Sequence, residues 1–360
     1  MTEKYTSAGK FAAARARRGV QRAVLAPLVR WTAGAPDRDG YTVIVACNSR
    51  MAPMIDANLT MLSRQDLEGV DAVVVVVDRA EGEMPEGFAA DLRGRFPTLP
   101  LRVEFYNRRQ SRVARAFDWG WVYSWMSWSI GINSARTRYA LLHDFDAMLL
   151  RRDVLRRRYE AIRERGVEYL GVRYYAGGGI VPDDRLVTTF ELMFDAEHVR
   201  RRLRPIDLFN NVRRFKGRRV EFDTFLHAQS VTGRTDVLPI DEEWMVHPSQ
   251  MICQYVEHVN GRPVPRGTNN LLMIPYFYYL GGDGREMREV AGQLGETPGR
   301  PQVRVFGREV DVSALTAAHA RWLSKQSERL ERELFGGVRP EVRAYFDAIA
   351  ARCAGEVAVP

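Results

Sequence analysis

Apolar strands alternating with helical stretches predict an α/β protein with a mostly parallel, covered central sheet, and three segments carry that prediction. Ala72-Val-Val-Val-Val-Val-Asp78 is β-branched through its centre and ends in an acid, the composition of a strand buried on both faces. Tyr41-Thr-Val-Ile-Val-Ala-Cys47 is a second such strand. Tyr139 to Leu142 is a shorter apolar run that leads through His143 into Asp144-Phe-Asp146. It delivers two carboxylates to the C-terminal end of a strand, where open α/β sheets collect their ligands.

The elements follow in order. Residues 1–39 are expected to form a basic, amphipathic helical extension. Lys4, Lys10, Arg15, Arg17, Arg18, Arg22 and Arg30 are basic, and no acid falls between Glu3 and Asp37. Val20, Val24, Leu25, Leu28 and Trp31 recur at helical spacing. Such a helix either lies on an anionic membrane surface or packs on the body with a solvated arginine face. From 40 the α/β pattern begins: strand 41–47, helix 54–64, strand 72–78, helix 88–96 closed by Pro97 and Pro100, and strand 101–106. Helices are expected through the tryptophan-rich stretch 117–136, then the 139–142 strand and a basic helix over 153–165. Strands are expected over 169–174 and 188–194, separated by the run Gly177-Gly178-Gly179. A helix is expected over 223–231, stopped by Gly233, and residues 313–352 read as helical. The stretch 253–285, rich in Pro, Gly, Asn and Tyr, reads as loop. The expected division is an extension over 1–39, an α/β domain over 40–250, and a loop-rich then helical extension over 251–360.

Composition narrows the function classes. The chain has 360 residues, 46% hydrophobic, and a net charge of +8; four of its 53 basic residues are lysine. A basic surface suits nucleic acid, anionic lipid or a phosphorylated substrate, but no nucleic-acid-binding signature is present, so nucleic acid is not expected as a partner. Cys47, Cys253 and Cys353 are isolated, which points to reduced thiols in a cytoplasmic compartment and to no zinc site. No apolar run reaches the length of a membrane span, and no secretory leader is expected. The first strand is followed by Cys47-Asn-Ser-Arg-Met-Ala-Pro53, with neither a P-loop nor a G-x-G-x-x-G turn.

Asp144 and Asp146, one residue apart, can share a hard divalent cation together with a diphosphate. Around them the chain resembles the GT-A glycosyltransferases, closest to the family 2 group of inverting enzymes. Four features between Tyr41 and His247 carry the resemblance. Val45-Ala-Cys-Asn-Ser49 stands where that family begins its nucleotide pocket. Asp78 matches the acid that contacts the base. Ser129-Ile-Gly-Ile-Asn-Ser-Ala-Arg-Thr-Arg-Tyr139 resembles the helix before the metal motif, with Gly131, Ile132, Ala135 and Tyr139 matching, and Ser129 and Thr137 replacing the usual Asn and Gly. Glu221-Phe-Asp-Thr-Phe-Leu-His-Ala-Gln-Ser-Val-Thr-Gly233, followed by Pro239 and His247, resembles the family's acidic helix and its following His, with the usual Glu-Asp pair split by Phe222.

The resemblance implies a GT-A, Rossmann-like sheet flanked by helices and a metal-dependent transfer of sugar from a nucleoside-diphosphate sugar to a hydroxyl acceptor: a glycan, a lipid-linked glycan or a natural product. It places Mn²⁺ or Mg²⁺ on Asp144, Asp146 and His247, and the donor nucleotide on Ala46, Asn48, Asp78, Ser129 and Asp144. Asp223 becomes the general base, with Glu221 as its alternative. A retaining outcome stays open. Arg109, with Arg112 and Arg115, either meets the diphosphate or forms a solvated basic face. His143 is either a hydrogen-bonded core residue or a ligand, and His227, four residues after Asp223, is a rival to His247. Trp121, Trp125 and Trp128 fall at helical spacing, which favours core packing over a sugar platform. The competing functions are a glycosyltransferase-like scaffold without catalysis and a nucleotidyltransferase. The N-terminal helix offers contact with the inner membrane face, and a homodimer is one of the oligomeric options.

Overall fold

The computed structural model describes residues 3–32, 34–296 and 302–353. Parts of both expected extensions, positions 1, 2, 33, 297–301 and 354–360, lie outside the described residues. Along the chain run α1 (Ala8–Leu25), β1 (Arg38–Cys47), α2 (Pro53–Leu62), β2 (Val70–Val77), α3 (Phe88–Arg95), β3 (Leu101–Phe105), α4 (Arg108–Phe117), α5 (Gly120–Ser134) and β4 (Thr137–His143). There follow β5 (Met148–Leu149), α6 (Val154–Arg165), β6 (Tyr169–Gly171), β7 (Leu192–Asp195), α7 (Ala196–Arg202), β8 (Asn211–Phe215), β9 (Arg218–Phe222), α8 (Leu226–Val231), β10 (Thr235–Val237) and β11 (Met245–Val246). The C-terminal part holds α9 (Met251–Val259), α10 (Ile274–Leu280), α11 (Arg285–Glu296), β12 (Gln302–Val305), β13 (Arg308–Asp311), α12 (Ala317–Phe335) and α13 (Pro340–Ala350). No helix among the described residues is long and apolar enough to cross a membrane.

The chain divides into two units. The first comprises Met1–Arg50, Ser63–Phe145 and Arg152–Asp241; the second comprises Met51–Leu62, Asp146–Arg151 and Glu242–Pro360. The first holds a seven-stranded sheet in the order β10-β6-β7-β4-β1-β2-β3. Four neighbour pairings are parallel (β1/β2, β1/β4, β2/β3, β6/β10), and β7 runs antiparallel to both its neighbours. The expected mostly parallel α/β sheet is present. Val73 to Val77 are fully buried, so the β-branched run fills both faces of β2. Helix α5 crosses this sheet closely because Gly131 has no side chain: a Cβ there would lie 2.3 Å from Ile44 Cγ2. Trp125 and Trp128 are buried in the same core, with Trp119 and Trp121 packed against it.

Several elements differ from expectation. The 169–174 strand stops at Gly171, and the 188–194 strand begins only at Leu192. The helix expected from 223 begins at Leu226, because Glu221 and Phe222 belong to the β8–β9 hairpin. That hairpin turns on Lys216 and Gly217, both with positive φ, the mirror-image turn that suits strand twist. The 253–285 stretch is not mainly loop: it contains α9 and α10. Pro275 sits in the first turn of α10, where a missing N–H costs nothing, and Tyr276 and Phe277 are fully buried. In α1, Val20 and Val24 face outward while Phe11, Arg18 and Leu25 are buried, so the apolar spacing marks the packed face only in part, through Leu25 and the following Leu28 and Trp31. Arg18 finds partners inside, and an arginine rather than a valine occupies the inner face.

Candidate functional site

The parallel registers put the C-terminal ends of β1, β2, β3 and β4 on one edge of the sheet. Asn48, Asp78, Tyr106 and Asp144 follow those strands directly. Continued ladder bonds hold the edge: Asp78 N donates to Cys47 O at 3.2 Å, and Tyr106 N to Val77 O at 3.2 Å. Ala46 is half-buried and pairs with Val76.

Asp78 is 4% exposed. Its Oδ1 accepts from Ser49 N at 2.9 Å, and Arg79 Nη1 lies 3.5 Å away. Asn48 Oδ1 accepts from Arg50 N at 3.0 Å, shaping the turn that presents Ser49. Burial pushes the Asp78 carboxyl above the usual aspartate range; the Ser49 bond and Arg79 oppose that rise without cancelling it. The Asn48 turn and Asp78 therefore form one cluster through Ser49 N–H. It adds groups that sequence reasoning missed. Arg50 Nη2 donates to Asp118 Oδ1 at 3.0 Å, and Asp118 holds a positive φ of 39°. Tyr123 Oη is buried without a hydrogen-bond partner; burial and then the Asp78 carboxylate raise its pKa. Arg79 stands next to a predicted acid, and that adjacency was the one available signal. Ser129 is fully buried in α5, its Oγ also without a partner. Arg109 is exposed in the first turn of α4, whose N-terminus is closed by a reciprocal Asn107–Gln110 capping pair.

His143, the last residue of β4, is fully engaged inside the sheet: its Nδ1 lies 2.5 Å from Glu191 Oε1, and both residues are buried. Glu191 has a positive φ of 50°, and its carbonyl accepts from the buried Arg158 Nη2 at 2.5 Å. Strand β4 thus ends on a braced histidine, and Asp144 follows it, half-buried.

Two residues further on, in the second unit, Asp146 is buried and lies 3.4 Å from His247 Nε2 through its Oδ1. The contact has a structural cause. Strands β5 and β11 pair antiparallel, with Met148 opposite Val246, so the residues flanking that pair meet. Asn58 Nδ2 donates to Ala147 O at 3.0 Å and fixes the intervening peptide. Asp146 and His247 stand together within the second unit, and Asp144 precedes Asp146 by two residues along the chain. Carboxylate and imidazole ligands suit Mn²⁺ or Mg²⁺ with remaining positions left to phosphate or water. His227, the rival ligand, is elsewhere: its ring packs 5.4 Å from Phe222, and burial followed by Arg213 lowers its pKa to about 4.

Asp223 leaves β9 just before α8. Its Oδ1 accepts from Thr224 N at 2.7 Å and from Asn210 Nδ2 at 3.3 Å. Both bonds fall on one oxygen, so Oδ2 remains available. Burial raises the carboxyl's pKa, against those two bonds. Phe225 holds φ 71° while fully buried, a strained backbone fixed by its Phe225 N–Leu208 O bond of 2.7 Å. Glu221 differs: Arg18 Nη2 approaches its Oε1 at 2.6 Å and Tyr5 Oη donates to Oε2 at 2.9 Å. The glycine run beside it has a backbone role. Gly178 O accepts from Glu221 N at 2.8 Å, and a Cβ on Gly178 would meet Glu221 O at 2.2 Å.

No family model matches the chain, and no curated protein matches it. Among solved structures it is similar to S. aureus TarS, with 13% identity, a TM-score of 0.39 and coverage of 87% of this chain and 55% of that one. The chain thus spans about half of that protein's length. It is also similar to S. aureus TarS 1-349 in complex with UDP, with 12% identity, a TM-score of 0.36 and coverage of 87% and 90%. A third similarity is to the mannosyltransferase PcManGT from Pyrobaculum calidifontis in complex with GDP-Man and Mn²⁺, with 13% identity, a TM-score of 0.33 and coverage of 95% of each chain.

Proposed function

We propose that the protein is a metal-dependent glycosyltransferase that moves a sugar from a nucleoside-diphosphate sugar to a hydroxyl acceptor, with inversion. The observation that carries the reading is the contact between Asp146 and His247, made by the β5–β11 pairing two residues beyond Asp144. Acids picked out by the sequence thereby gain a nitrogen donor from a distant segment. Asp144, Asp146 and His247 would hold Mn²⁺ or Mg²⁺, which supplies charge neutralisation for a departing diphosphate.

The chain's own residues account for the rest. Asp78, seated on Ser49 N–H beside Arg79, offers a fixed acceptor to the nucleoside. Ala46 and Asn48 border it, and the unpartnered Tyr123 hydroxyl is a donor that a bound nucleoside would satisfy. Ser129 and Arg109 complete the proposed donor-binding set. Asp223 takes the proton of the acceptor hydroxyl at Oδ2. Its raised pKa strengthens it as a base, and its Oδ1 bonds fix its aim. With Glu221 tied to Arg18 and Tyr5, Asp223 is the carboxylate assigned to this step.

The test is thermal stability against UDP, GDP, TDP and CDP, each with Mn²⁺ and with EDTA. A ligand that binds only the native state raises stability by mass action. One diphosphate is expected to raise the Tm in Mn²⁺ and to lose that effect in EDTA and in Asp146→Ala. The absence of a shift with all four would transfer the assignment to a non-catalytic scaffold.

A further inference from the structure

Helix α1 carries an arginine where a packed helix ordinarily places an apolar side chain. Arg18 is 4% exposed. Its guanidinium carbon lies 4.5 Å from the Trp119 ring, 5.0 Å from Trp121 and 5.7 Å from Phe209. A cation against three ring faces gains from each quadrupole, and most where water is excluded. Its Nη2 reaches Glu221 Oε1 at 2.6 Å, and Tyr5 Oη holds the other oxygen of that carboxylate. The surrounding contacts have the same target. Lys4 N donates to Arg219 O at 3.2 Å, Arg219 Nε to Glu3 Oε2 at 3.0 Å, and Arg22 Nη1 to Phe209 O at 2.9 Å.

These contacts bracket one residue. Glu221 precedes Asp223 by two positions on the same strand exit. Phe209 precedes Asn210, whose Nδ2 donates to Asp223 Oδ1. We propose that the N-terminal segment braces the candidate base, and that Arg18 is a positioning residue acting on Asp223 through Glu221 and Phe209. The inference rests on the reading of Asp223 as the base. Without Arg18, Glu221 would be left as a part-buried carboxylate with no ion-pair partner among the described residues, a costly state that the end of β9 would relieve by turning toward water. Asp223 would move with it. The arginine-rich N-terminus is then part of the catalytic unit.

The experiment compares wild type, Arg18→Leu and Arg18→Lys by steady-state kinetics and by hydrogen exchange. In Arg18→Leu, kcat is expected to fall about a hundredfold, the loss that a small misplacement of a reacting group causes, with donor KM unchanged. Amide protection is expected to be lost over 205–226 and retained in β1, β2 and β3. Arg18→Lys, which keeps the charge without the planar fork, should recover part of both. Unchanged kcat and exchange in Arg18→Leu would overturn the proposal, as would a loss of protection spread over the whole sheet, since Arg18 would then serve only global stability. If Arg18→Leu does not fold, Arg18→Lys decides: a lower kcat at unchanged KM supports the brace, and wild-type kcat refutes it. If the wild type transfers no sugar from any donor, the functional reading fails by itself, and the exchange data alone decide whether the brace exists.

Discussion

A buried and a half-buried aspartate set stability against function. Asp78 and Asp223 both have carboxyl pKa values pushed up by burial, so in the folded protein each resists ionisation. A raised acid pKa means that the folded state holds its proton to higher pH than the unfolded chain does. The destabilising contribution is therefore absent below the unfolded pKa and complete once pH exceeds the folded one. Asp78→Asn, which keeps an acceptor for Ser49 N–H, should raise the Tm at pH 7 by roughly 2 °C, the scale of about 1 kcal/mol in a large domain. That gain should decline as pH falls below the folded pKa of Asp78 and vanish below the unfolded one, and the nucleotide-induced stabilisation should be lost in the variant; melting curves across pH check both. Asp223→Asn, which keeps the Oδ1 acceptor for Thr224 N–H, should likewise raise the Tm slightly at pH 7 while lowering transfer by about 10²–10⁴, the usual worth of a positioned base. In the wild type, transfer should fall as pH drops through the folded pKa of Asp223, above the ordinary aspartate value, because the protonated acid cannot accept the acceptor's proton. Asp78 and Asp223 were both legible in the sequence, one as a strand-end acid and one through family resemblance. The unpartnered Tyr123 hydroxyl was not, because nothing in a helical aromatic pattern says which ring edge meets an acid across the fold.

Elements set which of these residues can meet. Hairpin β8–β9 supplies Glu221 and leads into Asp223, yet its turn is Lys216-Gly217, a weaker hairpin signal than Asn-Gly, and the sequence pattern predicts no strand there. Hairpin β12–β13 turns on Phe306-Gly307 in the same way and was likewise not expected. Strand β9 is held from behind by the glycine run. Gly178 combines a positive φ of 60° with the absence of room for a Cβ, so Gly178→Ala must displace the Glu221 backbone. The substitution should cost at least about 2 kcal/mol through overpacking and left-handed strain, read as a lower denaturant midpoint at unchanged m. The two-residue strands β5 and β11 are too short for any periodicity to reveal, though their pairing brings His247 to Asp146. His247→Ala should leave the fold in place and abolish the stabilisation by Mn²⁺ alone, with calorimetry in metal and in EDTA as the check.

At the scale of the whole molecule, the chain alternates between its two units in six segments, so neither is a continuous stretch of sequence. The expected boundaries near 39 and 250 describe composition, whereas the units are defined by packing. Donor binding should stabilise the protein by about 2.7 kcal/mol at a hundredfold excess over Kd, if the unfolded chain binds nothing. That stabilisation should be titratable with donor and metal together, and chelator should remove it. By itself the sequence determined the α/β class, the order of the principal strands and the acids at their ends, since strand composition and its terminal residues are written in windows of a few residues. Only the tertiary structure decided that His247 rather than His227 lies beside Asp146, that Ser49 seats Asp78, and that Arg18 turns inward to grip Glu221. Each of those contacts joins segments remote in sequence, and strand register and side-chain packing, which no local pattern encodes, determine which remote segments meet.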